Sequence, residues 1–159
     1  MGYGRFFAMI ATSTAVMYGL MYLNTYSWDH IWFSQTRFWM ALLMGAVMAV
    51  IMLLFMWGMY RNLQRNLLIL GLAVATFAGT LWLVRSQETV SDVAWMKAMI
   101  PHHSIAVLTS RRADISDPRV RELANSIIDA QLREIDEMEG LIADIEANGD
   151  AAGDPAPIH

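Results

Sequence analysis

The chain has 159 residues, 56% of them hydrophobic, with a net charge of −4 and no cysteine. The missing thiols exclude disulfides, zinc-thiolate sites and thiol catalysis, so any bound metal must use His, Met or oxygen. Residues 1–85 hold five basic residues and one acid, a net of +4, whereas residues 86–159 hold six against fourteen, a net of −8. So acidic a second half argues against nucleic acid as a partner, because phosphate binding needs clustered positive charge.

From the amino terminus, residues 5–23, 38–60 and 67–84 each read as a membrane span. About 20 predominantly apolar residues are needed to cross roughly 30 Å of hydrocarbon at 1.5 Å per residue. The first span has one basic residue, Arg5, and is followed by two more spans, so it reads as an uncleaved anchor rather than a signal peptide. Short loops rich in Lys and Arg stay in the cytoplasm. The turn bearing Arg61 and Arg65 is therefore placed inside, together with the amino terminus, and everything after Arg85 outside, in a multi-pass inner-membrane protein. Trp28, Trp32, Trp39 and Trp82 suit an interfacial aromatic belt. Asp29 and His30 stand as exposed residues of the outer loop that a site near the membrane surface can recruit.

Residues 92–112 and 118–147 read as two helices joined by a short turn. Asp117 followed by Pro118 is a start signal: Asp accepts orphan N–H groups at the cap and Pro fits the first helical position. The organisation expected is a membrane region at 1–85, a helical hairpin at 86–147 and a disordered Asp/Ala/Gly/Pro tail at 148–159. Pro101 is expected to kink the first of these helices or to start a new one there, since it cannot donate to the Lys97 carbonyl.

In the second helix Val120, Ala124, Ile127, Gln131, Glu134, Met138, Leu141 and Ile145 alternate spacings of four and three, predicting a seam interrupted by Gln131 and Glu134. In the first, Met96, Met99, His103 and Ala106 share a stripe with His102 at its flank. Folding the hairpin about its turn sets His103 opposite residues 127–131 and the two methionines opposite 131–135, so the polar interruptions meet at similar heights. Either stripe alone reads as core filler or a satisfied histidine; their coincidence marks a candidate site. The methionine series of the second span (Met40, Met44, Met48, Met52, Met56, Met59) drifts around its helix and reads as adaptable packing rather than a metal conduit.

The run Met99, Ile100, Pro101, His102, His103, followed by Gln131, Glu134 and Met138, resembles the family called domain of unknown function 305 over about residues 92–145. The resemblance implies a ferritin-like helical domain, usually exported and associated with copper binding or tolerance, with Met99, His102, His103, Gln131, Glu134 and Met138 at its motif positions. Thr109 stands where the family often carries a methionine, and Leu141 where a tryptophan is common. Thioether and imidazole donors favour copper, above all Cu(I), over magnesium or calcium. No Glu-x-x-His pair for a di-iron centre is present.

The fold expected is therefore all-α: three transmembrane helices, then an extracytoplasmic antiparallel hairpin that closes a four-helix bundle by dimerising. Apolar flanks at Leu123, Ile128, Ile135 and Ile142 call for that second copy. The function expected is binding of a copper ion by Met96, Met99, His102, His103, Gln131, Glu134 and Met138, with no turnover and with membrane lipid and a possible membrane or periplasmic protein as further partners. A metal-free interaction module is the alternative, and a metal-dependent oxidoreductase a more distant one.

Overall fold

The computed structural model describes residues 2–151, so most of the tail expected at 148–159 lies outside the described residues. Five α-helices carry the fold: α1 Tyr3–Leu20, α2 Gln35–Phe55, α3 Leu63–Ser86, α4 Asp92–Arg112 and α5 Pro118–Asn148. No strand occurs among the described residues. The chain divides into two compact units. One takes in the chain up to Asn24 together with Phe33–Ser91; the other takes in Thr25–Trp32 together with the chain from Asp92 onward.

In the first unit α2 and α3 are long and apolar enough to cross a membrane, so two such helices are present where three were expected. Helix α1 holds Arg5, Thr12, Ser13 and Thr14 within its 18 residues and falls short of the same apolar content. Ser34 caps α2 by accepting from the Arg37 N–H at 3.2 Å, and Asn62 caps α3 by accepting from the Arg65 N–H at 3.0 Å. Arg65 thus belongs to the first turn of α3 rather than to a loop.

Helix α2 stops at Phe55, five residues short of the span expected from composition, and a 3-10 turn at Trp57–Met59 reverses the chain. The reversal turns Tyr60 inward against Phe6, ring centroids 5.5 Å apart, in a cluster completed by Leu53 and Ile69. Asn66, buried beside it, donates to the Tyr60 carbonyl at 2.7 Å and accepts from the Tyr3 hydroxyl at 2.8 Å. Met52 and Met56 pack on this cluster, whereas Met40 and Met59 are exposed. The methionine series therefore divides between core and surface, as its drift around the helix requires. Helix α1 lies directly on the α2 backbone at Gly45, where a Cβ would sit 2.5 Å from the Thr14 Oγ1.

In the second unit α4 and α5 form an antiparallel hairpin whose bounds match the sequence reading to within one residue. Pro101 does not start a new helix: α4 runs continuously through it, and the ring is buried. Burial of the ring offsets the missing bond to the Lys97 carbonyl. Asp117 caps α5 by accepting from the Arg119 N–H at 2.9 Å, and its other oxygen takes the Arg119 guanidinium at 2.8 Å. Gly149, at φ 81°, ends the helix.

The Arg119 side chain first, and its N–H second, hold the Asp117 carboxyl below the ordinary carboxylate range. A depressed folded-state value means that this contribution to stability is complete above the unfolded-state value and disappears as the pH falls through the folded one. Asp117→Ala should therefore lower the melting temperature at pH 7, Asp117→Asn should lower it less, and the gap between wild type and Asp117→Ala should close on acidification. Thermal unfolding followed by circular dichroism checks this, and a gap that persists in acid would rule out a role for the charge.

Candidate metal centre

The hairpin core consists of Met96 and Ile100 from α4 with Ile135, Met138 and Ile142 from α5; Trp32, Val93, Met99 and Ile145 pack against it. The α5 seam is thus rotated by about one residue from the one expected. Ala124, Ile128, Gln131, Ile135, Met138, Ile142 and Ile145 carry the same alternation of fours and threes and are buried or half-buried, while Val120 and Leu141 are 48% and 47% exposed. Two registers share one periodicity, and the one chosen buries Ile135 and Ile142 and leaves Glu134 at the edge. On α4 the buried line is Met96, Ile100, Ser104 and Val107, which leaves Met99 and His103 at its edge.

This edge is where the polar groups meet. His103 Nε2 lies 2.8 Å from Glu134 Oε2, and the two side chains are 13% and 44% exposed. His103 Nδ1 lies 2.9 Å from the Met99 carbonyl oxygen, which can only accept, so Nδ1 carries a proton and Nε2 is the nitrogen turned to Glu134. The pairing falls about one turn further along α5 than a hairpin folded level at its turn would give. Residues 113–117 run back beside the first turn of α5, where Arg121 Nε and Nη2 both donate to the Ile115 carbonyl, at 3.2 and 2.6 Å.

Of the seven residues predicted from sequence, Met96, Met99 and Met138 come together in or on one apolar core. His103 and Glu134 pair at its rim. Gln131 is half-buried on the seam. His102 is exposed, its ring 6.2 Å from that of His103 and steeply inclined to it. Among the described residues no three His, Asp or Glu side chains converge as a metal cluster. Three thioethers and one imidazole fit a soft ion, and no oxygen cage for a hard one accompanies them.

Sequence reasoning missed the other wall of α4. Residues Thr25–Trp32, expected as a free outer loop, lie along this helix as a strap. The Ser104 Oγ, fully buried, accepts from the Tyr26 N–H at 2.7 Å and lies 2.9 Å from His30 Nδ1, to which its own proton is available. The Lys97 ammonium stands 5.3 Å from the Trp32 ring centre, and the Arg111 guanidinium 4.7 Å from that of Tyr26, whose hydroxyl it also bonds. Lys97, Ser104 and Arg111 are spaced by seven residues and so follow one line along α4. That spacing was the only signal, and it names no partner. His30 is accordingly half-buried and bonded rather than exposed, and Trp32 packs half-buried on a protein core.

The arrangement defines a class: a small helical-hairpin domain with a Met/His rim, carried on the same chain as helices apolar enough to cross a membrane. Residues 83–155 match the family described as domain of unknown function (DUF305), and the chain belongs to that family. It is similar to the uncharacterized protein L153 of Acanthamoeba polyphaga mimivirus, 31% identical over 107 residues that cover 66% of this chain and 68% of that protein. No solved structure matches. The family match takes in α4 and α5 but leaves out the strap.

The strap's attachment is open to test. Ser104→Ala removes the partner of both the Tyr26 N–H and His30 Nδ1 in a buried setting, so it should cost about 1–3 kcal/mol. Denaturant unfolding in mild detergent should show that loss, and proteolysis should cut the Thr25–Trp32 segment faster. An unchanged cutting rate would mean that the strap is held by its aromatic contacts alone.

Proposed function

We propose that this chain is a membrane-anchored, extracytoplasmic protein that binds copper as cargo, in its monovalent state, without catalytic turnover. The observation that carries the reading is the gathering of Met96, Met99 and Met138 in one apolar core with His103 at its rim. Thioether sulfur and a single imidazole nitrogen suit a soft ion, and a dry surround disfavours hard, strongly hydrated ones. The thioethers and His103 Nε2 are the donors, the ion taking the place of the proton that Nε2 holds toward Glu134 and that leaves to solvent at the rim. Glu134 and Gln131 complete or orient the set, and the exposed His102 supplies an outer ligand.

Helix α1 is read as a third span beside α2 and α3. Excess Arg at 61 and 65 keeps that end of the membrane region in the cytoplasm and leaves the hairpin outside, where incoming metal is met. The hairpin still exposes Val120, Leu123 and Leu141 along α5, and a second copy covering them closes a ferritin-like four-helix bundle. The same exposed residues favour the second reading, a metal-free module that docks on itself or on a membrane or periplasmic protein.

His103→Ala should weaken Cu(I) binding by tenfold or more, about 1.4 kcal/mol, with helicity retained. Cu(I) should raise the melting temperature of wild type, since a ligand that prefers the native state stabilises it. A melting temperature that Cu(I) leaves unchanged favours the metal-free module. Because the chain lacks cysteine, single introduced cysteines report placement. Ser126→Cys should react with a membrane-impermeant maleimide in intact cells and Gln64→Cys only after permeabilisation, and Leu123→Cys should cross-link two copies. The reverse labelling would invert the topology.

A further inference from the structure

Trp32 reaches the methionine core from outside the hairpin. Resting on the copper reading above, we propose that Trp32 is a further binding residue of that site, its indole closing the Met96, Met99 and Met138 core against water and facing the bound cation. The indole packs on that core, as Met99 does, although it arrives from a segment more than sixty residues away in sequence. Its ring already receives a cation, the Lys97 ammonium at 5.3 Å. Its Nε1 is buried with no hydrogen-bond partner among the described residues, so hydrogen bonding does not account for an indole at this position.

The charge balance of the site favours such a group. Thioethers and a neutral imidazole bring no charge, so a monovalent ion bound among them keeps its own in a surround that solvates it poorly. Glu134 brings its carboxylate to His103 Nε2 at 2.8 Å, but it is nearly half exposed at the rim, where solvent screens its charge. An aromatic face supplies the missing electrostatic stabilisation from its quadrupole without bringing water or a hard donor, and indole does so best. Lys97 is bound to Glu146 at 2.5 Å, so its ammonium keeps a partner when a metal ion takes its place at the ring. The strap that carries Trp32 is held independently through Ser104, which makes the placement of the indole a property of the whole unit.

The test uses the full chain in mild detergent, with Cu(I) presented from a competing chelator, and compares wild type, Trp32→Phe and Trp32→Leu. Affinity should fall in that order, by about tenfold at Trp32→Leu, and Cu(I) should quench a component of wild-type tryptophan emission that Trp32→Phe lacks. Equal affinity in all three overturns this inference and leaves the copper reading standing. A wild type that takes up no Cu(I) overturns both. Should Trp32→Leu fail to fold, the phenylalanine variant and the emission decide: wild-type emission that Cu(I) does not change overturns the proposal.

Discussion

Helix α4 is stable in its place because both of its long faces are covered, and the hydroxyl of Ser104 is the point on which the second cover turns. The group is fully buried and makes two bonds with the strap, one to a backbone N–H and one to an imidazole. A serine left buried without partners would be a cost, and a strap left unbonded would pay its ordering entropy for little return. Each makes the other tenable. The same docking explains why Trp32 meets the methionine core.

The membrane-type unit follows a related rule with different residues. Where Tyr60 turns the chain back, its carbonyl and the amide of Asn66 satisfy each other, and the Tyr3 hydroxyl completes the amide's bonding. Buried polar groups are tolerated in an apolar helix packing when their bonds are closed locally. Gly45 does the complementary work by letting Thr14 approach the α2 backbone, so that packing depends on shape as well as on apolar content.

At the candidate centre the division is between a dry interior and a wet rim. Met96 and Met138 are buried, and His103 and Glu134 stand at the edge with the carboxylate nearest solvent. Neutral sulfur suits the interior because thioethers fill irregular apolar space without a desolvation cost. Imidazole and carboxylate suit the rim, where each can satisfy the other. Both the copper reading and the metal-free alternative draw on this arrangement, and they differ in whether the sulfurs serve as donors or only as filler.

Much of the architecture was legible from local signals. The cap at Asp117 and Pro118, the run of apolar residues in α2 and α3, and the charge asymmetry between the two halves are all properties of short stretches of chain. So were the Met/His stripe of α4 and the Glu and Gln on α5. Tertiary structure decided the rest. A four-three repeat fits two seams one residue apart, and only the partner helix chose the one that buries Ile135 and Ile142 and leaves Glu134 free to meet His103. The end of α2 at Phe55 came from a reversal that buries Tyr60, not from any loss of apolar character. The strap was least visible of all, because its contacts join residues more than sixty positions apart and its binding line on α4 is three unremarkable side chains. Sequence periodicity records which face of an element is apolar, whereas the element that covers that face is settled only when the chain is folded.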